Sequence, residues 1–234
     1  MLVRKIHFQD LGHFDYKACW DYQEELFAES VNRKIAIRKG EDLPQPKNHL
    51  LFVEHPPVFT LGKSGEETNL LLSQDQLKEQ DISYYKINRG GDITYHGPGQ
   101  VVGYPIFDLD QFFTDIHKYL RYLEEAIILM LSEYKIEGDR IDGLTGVWIG
   151  KGTDNPRKIA ALGVKCSRWV TMHGFALNVN TELGYFDKII PCGIDDKAVT
   201  SMAFELGEKV DESEVKEKLK MHLSNLFDAD IVAS

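Results

Sequence analysis

The chain has 234 residues, and 37 acidic against 27 basic side chains give it a formal net charge of −10 at neutral pH. That length suits one large domain with ample core, here taken as residues 1–234, and the acidic balance excludes broad nucleic-acid binding, which needs a basic face. No apolar run is long enough to span a membrane, Met1 to Asp10 lacks a signal-peptide core, and the three cysteines (Cys19, Cys166, Cys192) are odd in number without metal-ligand spacing; free thiols in a reducing cytoplasm, no metal and no membrane are expected.

Lys5 to Phe8 reads as a first strand. Tyr16, Cys19, Trp20, Gln23, Leu26, Phe27 and Val31 recur near helical spacing and predict a long amphipathic helix. Gly40 to Lys47 is a proline-containing loop, His49 to Glu54 an apolar strand ended by Pro56-Pro57, and Val58 to Leu61 a short continuation of it. Ser83 to Ile87 alternates as a strand. A second helix follows from Ile116, Tyr119, Leu120, Leu123, Ile127, Met130, Leu131 and Tyr134, with Gly138 as its stop. Strands are predicted at Thr145–Ile149, Ile159–Lys165 and Thr171–Val179, with Gly150 to Arg157 as a hairpin connection between the first two. Val199 to Leu206 suggests a helical turn. A last helix opens at Asp211, which has capping-box spacing to Glu214, and buries Val215, Leu219, Leu223 and Leu226. Strands and helices mix without regular alternation. That predicts an α+β fold, with a central mixed, largely antiparallel sheet flanked by helices.

Two segments carry chemistry. Arg89-Gly90-Gly91-Asp92-Ile93-Thr94-Tyr95-His96-Gly97-Pro98-Gly99-Gln100 holds more glycine than a turn requires. Glycines let a ligand approach the backbone, whose N–H groups can cradle an oxygen, and Tyr95 and His96 would add an aromatic wall with a polar tip. The segment is neither a P-loop nor a dinucleotide fingerprint; its bland alternative is a glycine-rich hairpin. The second segment is Pro191-Cys192-Gly193, with Lys158, His173 and Asn178 upstream. A thiol attacks as its thiolate, and a nearby cation or amine base raises that fraction. Acyl chemistry through a thioester is the sharp reading, a buried inert cysteine the bland one. As lone residues, His96 and His173 are more often hydrogen-bonded structural groups than pocket residues.

The first of these segments resembles the signature of the lipoyl(octanoyl) transferase family. Three further stretches agree: Glu54-His55-Pro56-Pro57-Val58-Phe59-Thr60-Leu61-Gly62, Lys158-Ile159-Ala160-Ala161-Leu162-Gly163, and His173-Gly174-Phe175-Ala176-Leu177-Asn178 with Pro191-Cys192-Gly193. The resemblance covers nearly the full chain. It implies the fold shared by biotin and lipoate protein ligases, with Cys192 as acyl-thioester nucleophile and Lys158 as the group that lowers its pKa or serves as its base. It also implies an acyl pocket made by Arg89 to His96, by Ala161, Leu162 and Gly163, and by Gly174, Phe175 and Ala176. Ala161 departs from a serine common in the family, and the insert Gly152 to Arg157 is slightly extended.

By the same resemblance the reaction moves an octanoyl (or lipoyl) group from acyl carrier protein to a lysine of a lipoyl domain, without ATP or metal. Acceptors would be lipoyl domains of 2-oxoacid dehydrogenase subunits and the glycine cleavage H protein. A monomer is expected. Because carrier and acceptor are typically acidic, Arg33, Lys34, Arg38 and Lys39, with Arg89, are the candidate docking patch; the bland reading is a solvated helix end. Two rivals share the fold: an ATP-dependent lipoate or biotin ligase, and a non-catalytic acyl- or carrier-binding module.

Overall fold

The computed structural model describes residues 4–190 and 198–234. Cys192 therefore lies outside the described residues. In chain order the elements are β1 (Arg4–His13), α1 (Tyr16–Arg38), β2 (Asn48–Glu54), β3 (Val58–Leu61), α2 (Gln74–Glu79), β4 (Ser83–Lys86), β5 (Ile93–His96) and β6 (Gln100–Ile106). Then come α3 (Ile116–Glu133), β7 (Gly138–Ile141), β8 (Leu144–Ile149), β9 (Arg157–Ser167), β10 (Val170–Asn178), β11 (Ala198–Val199), α4 (Met202–Leu206), α5 (Glu212–Phe227) and β12 (Ala229–Ala233).

Among the described residues the main sheet runs β12-β1-β2-β6-β10-β9-β8-β7, with β11 beside β9. β1 is parallel to both β2 and β12, and β11 is parallel to β9. The pairs from β2 through β7 are antiparallel. The sheet is thus mixed and largely antiparallel, as expected. Both of its faces are covered. Leu51 and Val53 pack with α1 residues Cys19, Leu26 and Phe27 on one side. Leu50 and Phe52 face α3 and α5 on the other, against Leu123, Ile127, Leu219 and Leu223. Two covered faces explain why β2 is a continuous apolar run and not an alternating one.

The helices start where their caps dictate. Asp15 accepts from Ala18 N, Asp115 from His117 N and Lys118 N, and Asp211 from Ser213 N. Glu214 pairs instead with Lys218 at 3.2 Å.

A further expectation fails, and another is reduced. β3 does not continue β2 but sits in a second sheet, β4-β3-β5, parallel to β4 and antiparallel to β5. Pro56-Pro57 breaks the ladder by fixing φ and removing two donors, and the chain re-pairs in the smaller sheet. The proposed basic patch is reduced, since Lys34 and Arg89 are buried while Arg33, Arg38 and Lys39 stay at least partly exposed. The Lys34 side chain is 6% exposed and is paired with Asp108, which is 1% exposed, and with Asp110 at 2.9 Å. A buried lysine between two aspartates closes the end of α1 onto the turn after β6, so it serves folding. Arg33 is held by Glu29 at 2.8 Å, Arg38 lies 3.9 Å from Asp110, and Arg89 is buried. Charge reversal at Lys34 would strand Asp108 without its counter-ion and would report on stability, not docking.

Candidate active site

The smaller sheet leans its loop over the main sheet. The turn between β4 and β5 reaches β9, where Gly90 N donates to Val164 O at 3.0 Å. Gly163 permits this approach, because a Cβ there would fall 2.7 Å from Gly90 O. Arg89 fixes the turn from the other side: its Nη2 donates to Thr60 O at 2.8 Å and Thr60 Oγ1 at 3.1 Å, and its Nη1 to Gly90 O. Asp92 accepts from Asn69 Nδ2 at 2.7 Å and from Ile93 N.

Between this turn and the sheet lies a cavity of about 460 Å³, within the usual size of a small-ligand site. Arg89 to Thr94 form one wall, and Ala161, Leu162 and Gly163 of β9 with Ala176 and Asn178 of β10 form another. The β9–β10 register sets Ala161 opposite Ala176 and Gly163 opposite Gly174, so small residues from both strands leave the space open. Lys158, Trp148, Leu120, Leu144, Phe186 and Val199 complete the lining. A second cavity of about 40 Å³ shares Arg89, Thr94 and the Ala161–Gly163 stretch, and adds His96, His173, Gly174 and Phe175 with Tyr16 and Tyr104. The predicted pocket residues are therefore brought together, with two qualifications of role. Tyr95 lines neither cavity: it is fully buried and stacks on Tyr185, centroids 4.5 Å apart, in the core of the small sheet. Phe175 borders the small cavity, but its ring packs edge-on to Phe52 in the α3/α5 core.

Lys158 projects from β9 with its Nζ 4.7 Å from the centre of the Trp148 ring. The described residues on either side of the Cys192 segment are tied close by. Ile190 N donates to Asn69 O, the partner of Asp92 by its side chain. Val199 pairs with Lys158 across the β11–β9 ladder, and Thr200 N donates to Lys158 O at 2.9 Å. Asn178 fastens the same strand: its Nδ2 donates to Thr200 O and its Oδ1 accepts from Gln100 Nε2. Asn178 and Gln100 thus act by positioning the strand. Trp148 and Leu120 escaped the sequence reading, because apolar residues inside predicted elements look like core wherever they point, and Phe186 escaped because it lies outside every predicted element.

The histidines near the cavity are held neutral. Burial, reinforced by neighbouring His55, pushes His96 down to about 3; burial and the Arg89 charge push His173 to about 3; burial takes His55 to about 4. Their hydrogen bonds fix their tautomers. Gln100 spends its amide N–H groups on Tyr95 O and Asn178 Oδ1, so its Oε1 accepts from His96 Nδ1 at 2.8 Å. His55 Nδ1 donates to Phe14 O and its Nε2 accepts from Tyr104 Oη. At neutral pH these rings are uncharged and, with pKa values this low, weak bases, which favours an amine or a thiol for proton transfer. Of the described thiols, burial pushes Cys19 up to about 12 and raises Cys166 as well, leaving both poor nucleophiles.

The neutral histidines carry a stability consequence. In the unfolded chain they protonate near pH 6.5, whereas the folded state resists protonation until about pH 3–4. Their contribution is therefore complete above about pH 6.5 and is lost as pH falls through that value toward 4. Each weakens the fold by up to about 1.4 kcal/mol per pH unit in that window. The thermal midpoint is expected to fall steeply between pH 7 and pH 5, before most carboxylates titrate. A flat midpoint across that range, followed by calorimetry, would contradict the burial of these rings.

The sequence profile of the lipoyl protein ligase A/B catalytic domain family matches residues 15–224. The chain belongs to that family. Relatives within it include the octanoyltransferase of Flavobacterium psychrophilum, 65% identical over 98% of this chain and 99% of its own length, and that of Parabacteroides distasonis, 47% identical over 96% and 100%. At such identity the chain is an enzyme, an acyltransferase, as the four motifs indicated. Among solved structures, the bi-partite lipoate protein ligase of Thermoplasma acidophilum superposes with a TM-score of 0.69 at 18% identity, over 100% of this chain and 87% of that one. A biotin protein ligase of Aquifex aeolicus reaches 0.52 at 14% identity, over 94% and 70%. Both show a shared fold, which matches the expected ligase-like architecture.

Proposed function

We propose that this family member transfers an octanoyl group from acyl carrier protein to a lysine of lipoyl domains, through a thioester on Cys192 assisted by Lys158. The observation that carries the reading is the position of Lys158. It lines an apolar cavity, and its own strand holds β11, the described strand that follows the Cys192 segment. The octanoyltransferase names of the relatives support the acyl group.

In the resting state Lys158 is an ammonium beside the Cys192 thiolate. The thiolate attacks the donor thioester carbonyl, the carrier sulfur leaves, and Lys158 gives it a proton. The acyl-enzyme is again a thioester, so this step is near balanced. A neutral lysine amine of the lipoyl domain then attacks. It loses one proton to Lys158 and expels the Cys192 thiolate, which restores the starting pair. Amide formation draws the cycle forward, and because the donor is already activated no ATP is consumed. Backbone N–H groups of the Arg89–Gly91 turn or near Gly193 would hold the oxyanion, each such donor being worth about 3 kcal/mol. Ile93, Leu120, Leu144, Leu162 and Val199 give the acyl chain an apolar bed, worth roughly 0.8 kcal/mol per buried methylene. Lipoyl domains of 2-oxoacid dehydrogenases and the glycine cleavage H protein are the proposed acceptors, in the cytoplasm.

Intact-protein and peptide mass spectrometry after mixing with octanoyl–acyl carrier protein tests this. One octanoyl group on Cys192, formed without ATP and lost on adding a lipoyl domain, is expected. ATP–pyrophosphate exchange driven by free octanoate, with no adduct, would instead make the chain a ligase.

A further inference from the structure

We propose that Gly146 and Trp148 of β8 form a socket that holds the Lys158 ammonium in place, with Trp148 as a positioning residue for acyl transfer. This rests on the role given to Lys158 above. The register between β8 and β9 slips from Val147 opposite Ala160 to Trp148 opposite Lys158, leaving Ile159 as an extra residue on β9. A bulge of this kind re-aims a side chain, and here it sets Lys158 across from the Trp148 ring, Nζ 4.7 Å from its centre. The ring is locked, since Trp148 is 1% exposed. The aliphatic stem of Lys158 runs past Gly146, where a Cβ would come within 3.4 Å of Lys158 Cε and 2.8 Å of Ala160 O. Gly146 has a φ of +130°, a conformation other residues rarely adopt. Its N–H is fastened from behind by Glu124 Oε1 at 3.0 Å.

The indole face attracts a cation and not a neutral amine, so the socket favours the charged form of Lys158 and restrains a flexible chain. Several charged groups on the described elements around it are engaged with one another. Glu124 of α3 is paired with Arg121 and Arg140, each at 2.9 Å, and Arg157 of β9 is paired with Glu205 of α4. Across the cavity, Arg89 holds Thr60 and Asp92 holds Asn69. The ring face thus adds a favourable cation contact to the lysine's other interactions. During transfer the proton leaves only when the departing sulfur draws it off.

The test is a titration of Lys158 in protein labelled with [¹³Cε]lysine, its resonance assigned by its loss in Lys158→Gln. In the wild type the Cε-attached protons should be shifted upfield by the indole ring current. In Trp148→Leu that shift should vanish, and the amine should lose its proton at a pH lower by about one unit, a tenfold change in the ammonium-to-amine ratio. Tetrafluorotryptophan at position 148 keeps the shape but cancels the negative ring face, so it decides the matter if Trp148→Leu fails to fold; its midpoint should also fall. An unchanged midpoint with the fluorinated ring overturns the socket. The titration needs no substrate. Octanoyl uptake on Cys192 by the wild type together with an unchanged midpoint in the fluorinated protein refutes the socket alone, and no uptake by the wild type refutes the proposed transfer whatever the midpoint does.

Discussion

Cys192→Ser should abolish octanoyl transfer by several orders of magnitude while leaving the thermal midpoint within a few degrees. A serine hydroxyl beside an amine is far less ionised than a thiol, and an alkoxide is a poor leaving group when the lipoyl-domain lysine attacks. The remaining thiols cannot substitute. Cys19 is buried against α1's own core, with its thiol pushed up to about 12, and Cys166 sits at the exposed far end of β9 with its thiol raised. Nor can a neighbouring histidine rescue the serine as a base in the manner of a hydrolase triad. Burial lowers His96 and His173 to about 3, so both are weak bases at neutral pH. The measurement is steady-state transfer with a lipoyl-domain acceptor, alongside a mass search for an acyl adduct. A variant retaining a tenth of wild-type turnover would end the covalent reading, and an ester on the serine that never turns over would strengthen it.

Much of this was legible in the chain, for reasons that differ by element. α1 and α3 announce themselves because each buries one stripe and leaves the other face wet, and because Asp15 and Asp115 cap them. β9 and β10 were legible as strands, and the family resemblance marked Ala161–Gly163 and Gly174–Ala176 on them as pocket walls. β6 was not. It contains Gly103 and Pro105, residues that normally argue against a central strand, yet every position of it is buried. Gly103 is required there because the Phe175 ring lies over it, and a Cβ would meet that ring at 2.2 Å. Pro105 is tolerated because the β10 pairing ends at Gly103, beyond which Thr171 Oγ1 bridges Pro105 O and Phe107 N. β12 escaped for another reason. Five residues after a helix carry too little pattern, and only the exposed edge of β1 gives them a partner.

The site was legible by motif and not by role. Four stretches pointed to one cavity: Arg89–Gln100, Lys158–Gly163 and His173–Asn178 contribute to its walls, Glu54–Gly62 supports it through the Thr60–Arg89 hydrogen bonds, and Cys192 lies outside the described residues. What sequence could not separate was lining from support. Tyr95 sits within the motif yet stacks in the small core, and Asn178 and Gln100 act by holding β11 and not by reaching the cavity centre with a free polar group. Trp148 shows the converse, since it carries no motif but lies beneath the lysine. The docking patch is smaller than expected because charge was counted along the chain, and Lys34 and Arg89 are buried. Glu29, Asp108 and Asp110 reach Arg33, Lys34 and Arg38 only through the helical turn and the fold.

Lys158→Ala should cut acylation of Cys192 severely at neutral pH and recover in part as the pH rises. Without the ammonium the thiol ionises as an ordinary cysteine, near pH 8.5, so only a few per cent is thiolate at pH 7 and about half at pH 8.5. That alone predicts at least a tenfold loss at pH 7, shrinking toward alkaline pH. A further, pH-independent deficit remains, because nothing protonates the departing carrier sulfur or receives the proton of the incoming amine. The fold should survive. The backbone of residue 158 is held by β8 and by Thr200 whatever its side chain, and the stem lies against Gly146, not deep in a core. Lys158→Arg should restore charge but not turnover. A guanidinium does not release a proton in this range, and its planar head would have to fit the space over Trp148 that an ammonium occupies. Single-turnover acylation by a small octanoyl thioester between pH 6 and 9.5 reads these effects without carrier docking. A loss equal to that of Cys192→Ser and flat with pH would assign Lys158 a structural role. The expected result, a deficit that narrows with pH in the alanine variant but persists in the arginine one, requires that the lysine both raise the thiolate and move a proton.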